Sequence, residues 1–426
     1  MPSTRLHSQR ALCPALIAAA ALSHASLATV TLTNLGVLPG GSQSFAYAVT
    51  TTGPTVVGYC ETAAGARAFR WQAGVMQDLG TLPGGTATYA FDLSADGAAV
   101  TGFADAAIGT RAFRWTSTSG LQSLGAFTAN GDSLAYGISA DGTIIAGYSY
   151  NATGVFRAFR WAGSLQPLGT QPLFSASLAL DISADGVFIV GSNDTTGTDH
   201  ACRWTSSGAV LDLGTLPGAD DSYALTTNAD GSVIAGYSSS ANNPRAFRWT
   251  SPAGMQDLGL LPGATWSYAA GISGDGSLVV GTSDAQALPH AFLWSAATGT
   301  IDLQPYLASL GADLSGWSLT NATAISADGS AICGIGEHNG QTRAWLATGL
   351  PCPTCSPCDP IDFNNDGLFP DTADIDDFLS VFSGGPCSTD PTPGCSDIDF
   401  NNDGLFPDTA DIDALLSVFS GGPCPG

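Results

Sequence analysis

The sequence predicts an all-β fold, a seven-bladed β-propeller of repeats about 45 residues long, followed by a small α-helical module that binds calcium. Three observations support this prediction. A short motif recurs along residues 29–348, each copy holds several short apolar runs separated by turn residues, and residues 358–426 contain one Asp-rich loop twice. The apolar spacing of long helices is absent from the repeats.

The repeat is marked by the pentapeptide RAFRW, first found at residues 67–71. It returns, intact or with one or two changes, at residues 111–115, 157–161, 200–204, 245–249 and 290–294, and in shortened form at residues 343–345. Two further markers keep the same period. They are the Asp-Gly pairs at residues 96–97, 141–142, 185–186, 230–231, 275–276 and 328–329, and the segment LGxLPG at residues 35–40, 79–84, 213–218 and 258–263.

Each copy is interpreted as four short strands. In the second copy these are Val75–Leu79, Tyr89–Ser94, Ala98–Ala104 and Arg111–Thr116. Asp-Gly between two apolar runs indicates a tight hairpin, because Gly tolerates the positive φ that such a turn requires. Four strands in about 45 residues is the period of a propeller blade, and a β-solenoid is the alternative.

The repeat resembles the HAF family of bacterial extracellular repeats, whose His-Ala-Phe signature is intact at residues 290–292. Most copies have Arg where the signature has His. The resemblance implies an extracellular setting and adds no defined activity.

The arginines of the repeat indicate structural ion pairs more strongly than an anion-binding site. Strand alternation places Arg67, Phe69 and Trp71 on one face and Ala68 and Arg70 on the other. Repeated features of a blade usually serve packing between and within repeats. The expected carboxylate partners are Asp78, Asp92, Asp212 and Asp257.

Residues 1–28 are interpreted as an export signal. Arg5 and Arg10 precede an apolar stretch over Ala11–Leu22, and Ser26-Leu27-Ala28 has the small-x-small pattern of a cleavage site. No later segment is apolar over the roughly 18 residues that a transmembrane helix needs. The mature chain is therefore expected to be secreted, extracellular or associated with the cell surface.

The charge of the chain excludes two classes of partner. The net charge is -24, lysine is absent, and residues 352–426 contain many Asp and no basic residue. Such a surface repels nucleic acid and anionic lipid. Asp concentrated in a compact segment instead indicates a hard cation.

The Asp-rich loop opens with D-x-N-x-D-G, the beginning of an EF-hand calcium loop. Oxygen ligands at alternate positions let the backbone wrap around calcium, and Gly allows the sharp turn. Two calcium ions are predicted, one per loop. The carboxylate that closes each loop is either the last ligand of the set given next or, as the alternative, Asp376 in the first loop and Asp413 in the second. The ligand sets are Asp362, Asn364, Asp366, Leu368 through its carbonyl, Asp371 and Asp374, and then Asp399, Asn401, Asp403, Leu405, Asp408 and Asp411.

After each loop, apolar residues at helical spacing predict one helix that ends at a Gly-Gly pair. Two loop-helix units in tandem resemble a dockerin, and the flanking Gly-Gly-Pro-Cys is similar to GC-type dockerin-like tails of exported bacterial proteins. The resemblance implies a cohesin-like or other envelope protein as partner. It places the recognition pairs at Thr372-Ala373 and Thr409-Ala410.

Six of the ten cysteines lie in the tail, which indicates a disulfide framework in an exported protein. Cys358 with Cys387 and Cys395 with Cys424 close loops of equal length, so these two bridges are predicted. Cys352 and Cys355, in the Pro- and Cys-rich linker over residues 349–357, are paired together or joined elsewhere. Two cysteines of the repeats, Cys60 and Cys333, are candidates for a bridge that staples the ring, and Cys202 is expected to be a buried thiol.

The leading interpretation is a non-catalytic binding or structural propeller of unknown ligand, anchored by its calcium-loaded tail. The histidines of the repeats, His200, His290 and His338, belong to no catalytic motif. The alternative is an exported polysaccharide-active enzyme targeted by the same tail. That alternative requires carboxylates and aromatic rings at one mouth of the channel, and the acids to inspect occupy equivalent places in the repeats: Glu61, Asp105, Asp194, Asp284 and Glu337.

Calorimetric titration of the isolated tail with calcium tests the prediction on which the anchoring hypothesis depends. We expect heat of binding for two ions and a gain of helix, because filled loops fix the segments that follow them. A titration without heat and without added helix would contradict the assignment.

Overall fold

The computed structural model describes residues 30–50, 54–169, 176–194, 197–240, 243–285 and 288–351. Within these ranges the chain forms seven four-stranded antiparallel sheets, which confirms the predicted propeller. None of the helices in these ranges has the length and apolarity needed to cross a bilayer. The predicted export signal, the calcium module and the cysteines from Cys352 onward lie outside the described residues.

The strands follow one another blade by blade, and the innermost strand comes first in blades 1 to 6. Blades 1 to 3 consist of β2 (Gly41–Val49), β3 (Thr55–Thr62), β4 (Gly65–Gln72) and β5 (Val75–Asp78); β6 (Thr88–Leu93), β7 (Ala99–Asp105), β8 (Thr110–Thr116) and β9 (Gly120–Gly125); and β10 (Ser133–Ile138), β11 (Ile145–Tyr150), β12 (Phe156–Trp161) and β13 (Leu165–Pro167).

Blades 4 to 6 consist of β14 (Ser177–Ile182), β15 (Phe188–Asp194), β16 (Asp199–Thr205) and β17 (Val210–Gly214); β18 (Asp221–Thr227), β19 (Val233–Ser240), β20 (Asn243–Thr250) and β21 (Gly254–Asp257); and β22 (Ser267–Ile272), β23 (Leu278–Ala285), β24 (Leu288–Ser295) and β25 (Gly299–Asp302). Blade 7 consists of β26 (Trp317–Ile325), β27 (Ala331–His338), β28 (Gln341–Thr348) and β1 (Thr31–Asn34).

The ring closes by placing the first strand in the last blade. Strand β1 pairs antiparallel with β28, with Thr31 opposite Thr348 and Asn34 opposite Trp345. The sequence repeat is therefore offset from the blade by one strand, and the predicted strand Val75–Leu79 belongs to blade 1 rather than to the blade of the other three. Because of this offset, a strand from the start of the repeat array pairs with a strand from its end, and this pairing closes the ring.

The predicted Asp-Gly hairpins join the first and second strands of the blades. In the turn of blade 2, Asp96 accepts from the backbone N–H of Ala98 at 2.9 Å and from the Ser94 hydroxyl at 2.5 Å, and Gly97 has φ 65°. We call this end of the propeller the Asp-Gly end. The opposite end, where each outer strand connects to the next inner strand, is the crossover end.

Every inner strand contains a β-bulge opposite a glycine of the second strand. In blade 1, Ala46 pairs with Gly58 and Ala48 pairs with Val57, so Tyr47 is the extra residue. A Cβ at Gly58 would lie 1.8 Å from the carbonyl oxygen of Phe45, so no side chain fits there. The same glycine recurs in the other blades, where a Cβ would lie no more than 2.0 Å from the inner-strand carbonyl oxygen: Gly102, Gly147, Gly191, Gly236, Gly281 and Gly334.

The second arginine of RAFRW clamps neighbouring blades together. Arg70 of blade 1 donates through Nε to the carbonyl of Gly97 in the Asp-Gly turn of blade 2 at 2.8 Å. Arg114 and Arg248 make the same bond to the following blade at 2.8 and 3.0 Å, and Arg203 makes an equivalent one through Nη1 at 2.8 Å. Blade 3 departs from this pattern, because the buried Nε of Arg160 has no partner.

A belt of backbone hydrogen bonds also runs from blade to blade at the Asp-Gly end. The Ala95 N–H donates to the carbonyl of Ala140 at 3.0 Å, and the Ala140 N–H donates to Ala184 at 2.9 Å. The belt continues through Ala229 and Gly274 to Ala327. These residues surround the channel mouth, and their small side chains leave it open.

One short helix interrupts the β architecture. Helix α1 (Leu303–Ser309) lies between β25 and β26, with Asp302 as its N-cap and Leu303 and Leu307 buried. It occupies the longer spacing before the last copy of the repeat, where the sequence predicted no helix. It packs into the core beside blade 7.

We expect the variant Gly147→Ala to lower the free energy of unfolding by about 3 kcal/mol or more, because a buried Cβ would overlap backbone atoms that cannot move freely. That Cβ would stand 2.0 Å from the Leu134 carbonyl oxygen. Urea unfolding followed by tryptophan fluorescence measures the change. Gly74→Asn, at a turn with φ 83° and no atom within 4 Å, is the matched control and should change stability little. Equal stability of Gly147→Ala and wild type would contradict the role of the glycine.

Candidate binding site in the central channel

The bulges determine which side chains face the channel. A bulge re-aims the extra residue and resets the alternation of the strand. The extra residues lie between the register-shifted pairs and form one layer around the axis: Tyr47, Phe91, Tyr136, Leu180, Leu225, Ala270 and Thr323.

Three of these residues form a continuous aromatic wall over blades 1 to 3. The ring centroids of Tyr47 and Phe91 are 4.9 Å apart in an edge-to-face arrangement, and those of Phe91 and Tyr136 are 5.1 Å apart. Edge-to-face and tilted contacts are the favoured geometries of aromatic pairs. The opposite side of the same layer is aliphatic, with Leu180 and Leu225.

The next layer toward the Asp-Gly end contains two carboxylates, those of Asp92 and Asp181. Asp92 accepts from the backbone N–H of Leu93 at 2.8 Å and from Ile138 N–H of the next blade at 2.8 Å. Asp181 accepts from Ile182 N–H at 2.7 Å and from Thr227 N–H of the next blade at 2.8 Å. The prediction that Asp92 pairs with an arginine of the repeat was wrong, because the bulge turns it to the channel.

These layers enclose a cavity of about 400 Å³ to which every blade contributes. Such a volume lies within the range of small-molecule sites. Its walls include the aromatic wall, both carboxylates and the small residues of the channel mouth, and no Arg, Lys or His is among the described residues that line it. The cavity therefore has an aromatic wall in one layer and two carboxyl groups, from blades 2 and 4, in the next layer.

Burial raises the pKa of both carboxyl groups. Desolvation is the main cause for Asp181, whose pKa is raised to about 6, and hydrogen bonds from the Thr227 and Ile182 N–H groups oppose it. Desolvation also comes first for Asp92, and the neighbouring charge of Asp181 raises its pKa further. Both side chains keep only a small exposure to the channel, and protein surrounds them, so the loss of bulk water dominates.

The crossover end has tyrosines beside carboxylates in two places. In blades 1 and 2, Tyr59 contacts Tyr89 with ring centroids 4.9 Å apart, and the charges of Glu61 and Asp105 contribute to raising the pKa of Tyr89 after desolvation. In blades 4 and 5, the Tyr223 hydroxyl donates to Asp199. Asp221 accepts from the Asp199 N–H at 2.9 Å.

The five acids expected at one rim are found in equivalent positions, at or near the end of the second strand of their blades. Three of these acids instead accept hydrogen bonds from residues of their own blades. Asp284 accepts from the N–H groups of Thr265 and Trp266, both at 2.7 Å, which lie just before the first strand of the same blade. Asp194 accepts from Gly197 N–H at 3.0 Å, and Glu337 accepts from the Thr342 hydroxyl at 2.9 Å.

The predicted structural ion pairs of the first arginine are confirmed at two blades. Arg67 bonds to Asp78 at 3.1 Å, and Arg245 bonds to Asp257 at 2.9 Å. Histidine takes the same place in blade 4, where His200 Nδ1 lies 3.1 Å from Asp212. In blade 6, His290 Nδ1 lies 2.9 Å from Asp302, a partner that sequence reasoning missed. His338 ends β27, and its ring stacks on Trp317.

The three cysteines of the propeller are buried free thiols, so the bridge between Cys60 and Cys333 was wrong. Cys60 accepts a bond from Leu38 N–H and contacts Met76, whereas Cys333 contacts Thr323. Burial raises the pKa of Cys60 to about 11 and that of Cys333 to about 12. Cys202 is a buried thiol as predicted, and burial raises its pKa also.

The predicted calcium ligands, recognition pairs and tail disulfides lie outside the described residues, and they stay predictions. In the part of the chain that the structure describes, no three His, Cys, Asp or Glu side chains converge as a metal site.

The chain matches no protein-family model, and no curated protein matches it in sequence. Its fold is similar to solved structures. An oligogalacturonate lyase from Vibrio parahaemolyticus has TM-score 0.51 at 12% identity, over 74% of this chain and 93% of the lyase. An oligogalacturonate lyase in complex with manganese has TM-score 0.50 at 16% identity, over 75% and 93%. TolB from Acinetobacter baumannii has TM-score 0.41 at 13% identity, over 69% and 80%. At these identities the likeness shows the fold alone.

Sequence reasoning missed the channel site, although one signal for it was present. The bulge leaves a recurring Ala on the inner strand opposite a recurring Gly on the second strand, such as Ala46 opposite Gly58. These two residues keep the period of the repeat and would have located the bulge. The residue after that Ala is then the one that faces the channel.

We expect the folded protein to gain stability as the pH falls from 7.5 to 5. The pKa of Asp181 is about 6 when folded, above the usual value of about 3.9 in an unfolded chain. The folded state therefore binds the proton more tightly, and this contribution is present at low pH and lost as the pH rises through 6. For Asp181 alone the gain is about 1 kcal/mol.

Urea unfolding at both pH values measures this gain. Asp181→Asn should reduce it, whereas the control Asp78→Asn, which removes an exposed ion pair, should leave it in place. A wild-type protein that is equally stable or more stable at pH 7.5 would contradict the effect.

Proposed function

We propose that this chain is an exported, non-catalytic binding propeller, held at the cell surface or in an extracellular assembly by the calcium module of residues 358–426. The observation that carries the proposal is the central cavity of about 400 Å³, with its aromatic wall and two carboxylates. A cavity of this size with a few convergent polar groups is the usual form of a small-molecule site.

Binding without catalysis is supported by where the reactive groups lie. His200 and His290 are held by Asp212 and Asp302 in outer parts of their blades. Each channel carboxylate already accepts two backbone N–H bonds, which hold it in place between blades. The buried thiols have raised pKa values, which keeps them protonated at neutral pH.

A polysaccharide-active enzyme is the second candidate, and one observation favours it. At the crossover end, Tyr223 and Tyr237 stack with ring centroids 5.0 Å apart beside Asp199 and Asp221. Aromatic faces with a carboxylate pair suit the binding and acid-base cleavage of a sugar chain. Release of new reducing ends or unsaturated products from a polysaccharide panel, lost in Asp221→Asn, would establish this candidate in place of the first.

Anchoring is tested with the full chain on isolated cell envelopes, with calcium or with a chelator. We expect capture in calcium, release by the chelator and recovery when calcium is restored, because calcium-binding loops of this type generally gain their fixed structure from the bound ion. The double variant Asp362→Ala with Asp399→Ala should lose capture about tenfold or more, since each substitution removes the first ligand of a loop.

The matched control for this experiment is Asp390→Ala, which removes an acid between the two loops and should bind like the wild type. Capture that persists in the chelator, or that is equal for the double variant and the control, would contradict calcium-dependent anchoring.

A further inference from the structure

We propose that the channel cavity at the Asp-Gly end binds a small organic cation whose alkylated ammonium group lies against Tyr47, Phe91 and Tyr136 and faces the carboxylates of Asp92 and Asp181. The inference rests on the binding part of the proposed function and gives it a ligand class. It does not depend on the calcium module.

The carboxylates determine the charge of the ligand. Buried carboxylates in proteins are normally paired with a basic side chain or a metal. Asp92 and Asp181 have neither, since the described residues that line the cavity contain no Arg, Lys or His. Their hydrogen bonds come from neutral groups, namely backbone N–H groups and, for Asp181, also the Thr226 side chain. A cation that enters the cavity would offset the desolvation and the mutual repulsion of the pair.

The aromatic wall determines the kind of cation. A ring face is negative because of its quadrupole, and it attracts weakly hydrated cations such as alkylated ammonium groups. The rings of Tyr47, Phe91 and Tyr136 adjoin one another within 5.1 Å and border the same cavity as the carboxylates. An anion would meet the two carboxylates, and a neutral ligand would leave them unpaired. The combination therefore selects an ammonium group that carries apolar substituents.

The Asp-Gly end gives the ligand a way in. The mouth is bordered by one small residue from each of several consecutive blades, namely Ala95, Ala140, Ala184, Ala229, Gly274 and Ala327. Their backbones are fixed by the hydrogen-bonded belt, so the opening is built before the ligand arrives. The four guanidinium groups that donate to turn carbonyls near this end, such as Arg114, are absent from the cavity lining.

Calorimetric titration of the full chain with choline tests the proposal, with 3,3-dimethylbutan-1-ol as a neutral molecule of the same shape. We expect choline to bind at least about tenfold more tightly than the alcohol, because the alcohol lacks the charge that both the rings and the carboxylates recognise. Phe91→Leu should weaken choline binding by about fivefold to tenfold, whereas Phe91→Tyr should retain it.

Phe156→Leu, which makes the same change in a strand β12 ring outside the cavity lining, is the matched control and should bind choline like the wild type. Thermal unfolding verifies that each variant is folded, and if Phe91→Leu is not, the comparison of choline with the alcohol on the wild-type protein decides. Equal affinity for the two molecules, or no binding of either, overturns the proposal. Envelope capture that persists in that case would show that the proposed anchoring stands while the ligand class of the cavity fails.

Discussion

The architecture depends on the close approach between the inner strand and the glycine opposite it. With a carbonyl oxygen 1.8 Å from where the Gly58 Cβ would stand, the second strand can follow the bulge only where it has no side chain. The bulge adds one residue to the inner strand, and this residue is turned to the axis. One backbone constraint, repeated in seven blades, therefore produces both the packing of each sheet and the layer of side chains that lines the channel.

The same repetition explains where the arginine side chains lie. Arginine occurs only in the third strands of the described blades. The first position pairs with an outer-strand Asp in two blades, and the second position reaches the turn of the next blade in four. A charge-assisted bond to a turn carbonyl holds neighbouring blades in register and is stronger than a neutral one. Because the cations serve contacts between strands and between blades, the channel is left without them.

Local patterns in the sequence were sufficient for the fold. The seven repeats, the Asp-Gly hairpins and the pairs formed by Asp78 and Asp257 follow from spacing and alternation, which act over a few residues. The channel site could not be predicted in the same way, because the strict alternation of side chains along a strand fails at a bulge. Asp92 was expected to pair with an arginine of the repeat, whereas the extra residue before it places it in the channel. The two carboxylates come from blades 2 and 4, and no local signal in the sequence shows that residues of repeats so far apart line one cavity.

The channel carboxylates are not a requirement of the ring. The position of Asp92 and Asp181 is occupied by Ala48, Gly137, Gly271 and Ala324 in other blades, and those blades pair in the same register around the same bulge. Burying a charge without a counter-ion lowers stability, and the raised pKa values of the two Asp residues express that cost. Perturbed groups of this kind concentrate at binding and catalytic sites. A pair that the fold does not need, placed next to an aromatic wall in an open cavity, is best explained by what enters the cavity.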